Sequence, residues 1–219
     1  MAKQRLPADK ELVIGEGAMD RQLALPIKNG ECTKVTALHF DHEEAGTRML
    51  LHAKHAQRVV IQSPDAVVLL LRVTHNDQIE CDELRFRTGV KDRLRYIPAH
   101  EIAAGVGPLM YKVLPAFHAL TGCDSTSALS RVGKKKAWKI IVNSKEHQQH
   151  LVSVGQSPDV DSVTATKAEV FICSLYKVPN RIPTSADEAR YLLVCQKAQS
   201  NLQLPPMSDS PLQHIKGAN

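Results

Sequence analysis

The sequence predicts an α/β protein, a small and mainly parallel sheet flanked by helices that runs into a helical C-terminal region. Three observations carry this. A β-branched segment, an amphipathic segment and a second apolar segment succeed one another between residues 34 and 64, the strand–helix–strand order of a parallel sheet. Shorter strand-like runs follow, and beyond Pro98 only helical patterns occur. The length, 219 residues with 43% hydrophobic content, suits one core, or one core with a helical appendage.

Residues 1–34 form a poorly patterned segment interrupted by Gly15, Gly17, Pro26, Asn29 and Gly30. KVTALHF then reads as a strand, opening an α/β domain over 35–124. In DHEEAGTRMLLHAKHA, Asp41 suits a helix cap and Glu43 and Glu44 a first turn, where the helix dipole favours acids. Met49, Leu50 and Ala53 then face a core. RVVIQSP reads as a buried strand ending at Pro64, with Asp65 just past its end. AVVLLLRVT fits a strand by local preference and equally a helix packed on both sides; periodicity does not separate them over so short a run. DELRFRTGVKDRLRYI reads as a hairpin around Thr88-Gly89 at a sheet edge, with Phe86 and Tyr96 pointing inward.

Helices are expected over PAHEIAAG and over PLMYKVLPAFHALTG, the second kinked or divided at Pro115 and ending at Gly122. The helical region 125–219 continues with a loop around Ser130 to Gly133 and a short basic helix from Lys134 to Val142. Further helices fall near 165–176 and 185–198, before a proline-rich and then amphipathic tail.

The net charge of +5 and pI near 9.0 permit polyanion binding. Five widely spaced cysteines without a CxxC pair indicate neither a disulfide framework nor a zinc knuckle, which fits a reducing, intracellular setting. The N-terminus has no apolar signal core, and the longest apolar run, Ala66 to Leu71, is too short to span a bilayer, so a soluble chain without a membrane partner is expected.

Four carboxylates stand where an α/β sheet gathers ligands: Glu43 and Glu44 at a helix start, Asp65 beyond a strand's carboxyl end, and Asp124 in the loop before the basic helix. Such a set suits Mg²⁺ or Mn²⁺, hard cations that prefer oxygen. The plainer reading makes them helix caps and dipole partners. In VGKKKAWK, Gly133 allows a phosphate to approach, and Lys134, Lys135, Lys136 and Lys139 supply positive charge; the alternatives are a solvated face or a nuclear-localisation-like run. Trp138 is a core anchor before it is a base-stacking platform. No HExxH or Cys/His set completes a zinc site, although His147 and His150 stand three apart, and His118 lies near Asp124. A nucleophilic Cys123 is an alternative, but no base is identifiable, and burial beside the turn is its simpler role.

Taken in order, HEEAGTRMLLHA, RVVIQSPD, RYIPAHEI, HALTGCDSTSALSRVGKKKAWK, FICSLY and DEARYLLVCQKAQ resemble a group of uncharacterised, transposon-associated animal proteins, which are in turn similar to the PIN-like, flap-endonuclease/XPG nuclease superfamily. The resemblance implies a PIN-like domain, a helix-hairpin-helix-like element and a two-metal site for Mg or Mn. In it Glu44, Asp65 and Asp124, with Glu43 beside them, would be the metal ligands, and Gly133, Lys134, Lys135, Lys136 and Lys139 would grip duplex or branched DNA. Gly46 replaces an acid of that pattern, Ala66 and Val67 replace the end of an Asp-x-Asp, the superfamily's opening strand has no counterpart before Lys34, and Ser130 and Arg131 stand where small residues are usual. Too few carboxylates remain to neutralise two cations held close together. The expectation is therefore a degenerate or N-terminally truncated nuclease domain that binds nucleic acid in the nucleus with impaired or absent cleavage. Its alternatives are an active metal-dependent nuclease, and a decayed transposon-derived product with no selected role.

Overall fold

The computed structural model describes residues 12–14, 25–28, 31–32, 45–54, 56–79, 81–176, 178, 181–195, 204–207 and 209–219. The chain divides into two compact units, Met1–Ile102 and Ala103–Asn219, with the boundary inside the third described α-helix, α3 (Ala99–Val106). The loop carrying Asp124 thus groups with the C-terminal helices, and the division expected after residue 124 falls inside the second unit.

In the first unit, β1 (Leu12–Ile14), β2 (Leu25–Lys28) and β3 (Glu31–Cys32) form a short antiparallel sheet in that order. Lys28 pairs with Glu31, so the two residues between these strands are Asn29-Gly30, a dipeptide that tight hairpins favour. Paired strands therefore flank breakers that had only marked the segment as weakly patterned. The strand expected over KVTALHF lies outside the described residues, as do Glu43 and Glu44.

The second sheet follows from α1 (Ala45–Ala53), β4 (Arg58–Gln62), α2 (Ala66–Thr74), β5 (Glu83–Thr88) and β6 (Arg95–Pro98). β4 and β5 pair in parallel and β5 and β6 antiparallel, making a mixed sheet rather than the mainly parallel one expected. AVVLLLRVT is α2, a helix. A parallel neighbour strand can be reached only by a crossover, usually helical. Its first turn is fixed by Asp65, whose Oδ1 accepts from the Val67 N–H at 2.8 Å, and Val68, Arg72 and Val73 are buried on one side. Cap and burial together outweigh the few tenths of a kcal/mol per residue that β-branching costs a helix.

Leu50 and Ala53 of α1, Ile61 of β4, Val68 of α2, and Leu84 and Phe86 of β5 build one core against a single face of this sheet. β4 is therefore half-covered, not the buried strand expected: Ile61 is buried while Val60 is 56% exposed. Phe86 points inward as expected. Tyr96 does not, and is 51% exposed. It pairs with Arg87, so the alternation of the pleat puts both on the face opposite Leu84 and Phe86.

The second unit contains α4 (Pro108–Leu120), α5 (Lys134–Val142), α6 (Lys145–Leu151), α7 (Ser162–Ser174), α8 (Ala186–Cys195) and α9 (Asp209–Ala218). α4 is continuous through Pro115 and packs on α6 and α9. The helix expected to open near 165 begins at Ser162, because Asp161 caps it by accepting from the Thr164 N–H at 2.8 Å. α6 was not anticipated from its polar KEHQQHL. Ser144 caps it, and the Gln148 amide donates to the Ile141 carbonyl at 2.9 Å, tying it to the end of α5. No helix among the described residues is long and apolar enough to cross a membrane.

Candidate nucleic-acid interface

α4, the connection 121–133 and α5 together make a helix–loop–helix whose far side carries the lysines. The end of α4 is held from two directions. Thr121 Oγ1 donates to the Phe117 carbonyl at 2.7 Å, and His214 of α9 donates through Nε2 to the Leu120 carbonyl at 2.9 Å. Gly122 then turns the chain with φ +95°, and an added Cβ would lie 2.7 Å from Ala128 Cα, so only glycine meets both demands.

The next four residues close a tight turn: the Cys123 N–H donates to the Thr126 carbonyl at 3.1 Å and the Thr126 N–H returns to the Cys123 carbonyl at 3.3 Å. Thr126 Oγ1 donates to the Ala119 carbonyl at 2.6 Å, pinning the turn to α4. Asp124 sits exposed at the tip. It is not a helix cap, because no helix opens before Lys134, whose N-cap is Gly133. Leu129 and Val132 are buried and anchor the remainder of the loop. Arg131 between them has φ +56°, a left-handed conformation that costs a non-glycine residue roughly 1–2 kcal/mol.

α5 opens with Lys134, Lys135 and Lys136, has no acid in its first turn, and receives no side-chain cap from Gly133. Gly133 has ordinary extended torsions and open space where a Cβ would project, so the backbone does not demand glycine there; its bareness leaves the helix start accessible. Lys134 leans back across the loop to donate to His118 Nδ1 at 3.0 Å, which leaves the His118 proton on Nε2. Burial lowers the Lys134 pKa, opposed by the negative charge that Cys123 and Asp124 bring near it. Lys135 and Lys139 are exposed and Lys136 is half-buried. Trp138 packs edge-on against Phe117 with centroids 5.6 Å apart and is 36% exposed, an anchor with one edge in solvent.

The loop thus brings Asp124, Cys123, His118 and Lys134 together. Cys123 is the member whose activating partners the sequence did not disclose. Its Sγ lies 3.2 Å from Ser125 Oγ and 3.2 Å from Thr126 Oγ1, and these hydroxyls pull the thiol from 9.0 down to about 7. Thr126 has already given its hydrogen to Ala119, so Ser125 is the donor that counts. The sequence signal was Ser125 and Thr126 two and three residues on, which only the turn folds back onto the sulfur.

Of the expected metal ligands, Asp65 belongs to the first unit and Asp124 to the second. Asp65 is exposed at the carboxyl end of β4, where its N–H donates to Ser63 Oγ at 3.1 Å and one carboxylate oxygen is committed to capping α2. Asp124 has an ammonium beside it, which competes with any cation. Among the described residues no three His, Cys, Asp or Glu side chains converge as an ion would require. Glu43 and Glu44 lie outside those residues. Comparison with protein-family models, curated proteins and solved structures gave no match.

Proposed function

We propose that the second unit grips the phosphate backbone of nucleic acid, duplex or branched DNA, as a nuclease-derived module whose cleavage is impaired or absent, working inside the cell and in the nucleus. One observation carries the reading. The positive end of the α5 dipole coincides with Lys134, Lys135 and Lys136, an arrangement that self-repels in the free chain. A phosphate placed there would relieve both the uncapped N–H groups and the ammonium charges. Lys139, one turn further along, extends the positive strip.

The family resemblance of HALTGCDSTSALSRVGKKKAWK supports the same surface as a DNA-contacting hairpin. Fluorescence anisotropy with labelled duplex, flap and hairpin DNA tests it. Reversing Lys134, Lys135 and Lys136 to Glu should weaken binding by more than tenfold near 0.1 M salt; unchanged affinity would remove the proposal. The same substrates with Mg²⁺ or Mn²⁺ test the alternative, an active nuclease. Cleavage that disappears in Asp124→Ala would overturn the non-cleaving part of the reading.

A further inference from the structure

From the uncovered face of the mixed sheet in the first unit, we infer that it is a second nucleic-acid surface, one that takes a single strand with a base stacked on Tyr96. Strand alternation puts Arg58, Val60 and Gln62 of β4, Arg85 and Arg87 of β5, and Tyr96 of β6 on the side opposite the core. Val60 and Tyr96 are both more than half exposed, and a shallow hollow of about 400 Å³ lies between them, bordered by Arg58, Arg85 and Glu83. Its size is that of a small-ligand site, roughly 300–1,000 Å³.

Charge identifies the occupant. Among the described residues three arginines face a single carboxylate, Glu83, which sits 2.6 Å from Arg85 Nε and 3.8 Å from Arg58 Nε, leaving an excess of positive charge. The Arg87 guanidinium lies 5.9 Å from the Tyr96 ring centroid and donates to Gln62 Oε1 at 2.7 Å, which holds the ring in place from one side. Arginine flanking a fixed, exposed aromatic on an open sheet is the chemistry of sequence-tolerant single-strand binding, where stacking and phosphate contacts act together. A duplex keeps its bases stacked on one another and would gain nothing from Tyr96. An acidic peptide would use the arginines but not the ring.

The inference concerns a different surface from the lysine strip, and its test separates the two. Anisotropy of the whole chain is measured with labelled single-stranded oligo-dT and with a duplex of equal charge. Tyr96→Ala should weaken oligo-dT binding by roughly tenfold or more while Tyr96→Phe retains it, and duplex binding should stay within twofold in both. Arg58→Gln combined with Arg85→Gln should reduce the salt slope for oligo-dT by about 1.4. Tyr96 and both arginines are solvent-exposed, and unchanged circular dichroism confirms that the variants fold. Equal oligo-dT binding by Tyr96→Ala and Tyr96→Phe would overturn the inference. So would competition by poly-glutamate as effective as that by oligo-dT. Reversal of the α5 lysines should weaken duplex binding by more than tenfold and leave the Tyr96 effect on oligo-dT intact.

Discussion

Gly122→Ala tests whether the Asp124 loop is built as described. At φ +95° an alanine takes on about 1–2 kcal/mol of backbone strain. Its Cβ would stand 2.7 Å from Ala128 Cα and 2.8 Å from Ala128 Cβ, a clash relieved only by moving backbone, and such overpacking costs about 1–3 kcal/mol. Stiffening of the unfolded chain returns about 0.4–1 kcal/mol. The net loss should be about 1–5 kcal/mol, centred near about 3, which lowers a urea midpoint by about 1 M for an m-value of about 3 kcal/mol/M and by more for a smaller one. Trp138 is the single tryptophan and lies in α5, so its fluorescence reads the second unit. Ala128→Gly in the same chain should recover part of the loss by removing the Cβ contact. A Gly122→Ala midpoint within 0.2 M of the wild type would refute the geometry, and with it the placement of Asp124 beside Lys134.

Cys123 should alkylate with iodoacetamide along a pH profile centred near 7, read by peptide mass spectrometry, and Ser125→Ala should move that centre toward 9; a wild-type centre near 9 would remove the role given to the Ser125 hydroxyl. Cys173, whose thiol burial pushes up to about 12, should stay unlabelled while the protein is folded. His147 packs against Phe171, is buried with Nδ1 unpartnered, and has its pKa lowered by that burial, with His150 adding to the shift and Glu146 opposing it. Folding therefore favours neutral His147: its contribution to stability is complete above about 6.5 and is lost as pH falls below that, because the unfolded chain binds the extra proton. The melting temperature should fall between pH 7 and pH 5, and less so in His147→Leu; an equal fall in both would show that other groups set the acid limit.

Local chemistry was legible where one residue decides the structure. Lys134 to Val142 matches the expected basic helix, and Asp65 is the cap that its position after Pro64 suggested. Where the outcome depends on a partner distant in sequence, it was not legible. AVVLLLRVT became a helix because β4 and β5 run parallel, and nothing within nine residues states that. Phe86 was legible as an inward anchor, but the side taken by Tyr96 depends on how many residues the turn from Gly89 to Leu94 spends before β6. Likewise the Asp124 loop read as a helix start because aspartates so often cap helices. The chain instead spends a turn and a buried pair, Leu129 and Val132, before α5 begins.

The dependence of DNA affinity on salt tests the phosphate grip most directly. Each phosphate neutralised on duplex DNA contributes about 0.9 to the slope of log affinity against log salt. Neutralising Lys134, Lys135 and Lys139 to Gln should therefore flatten the slope by about 2 to 3 while circular dichroism and the melting temperature stay as they were. A slope unchanged by all three substitutions would place the DNA, if it binds at all, somewhere other than the open end of α5.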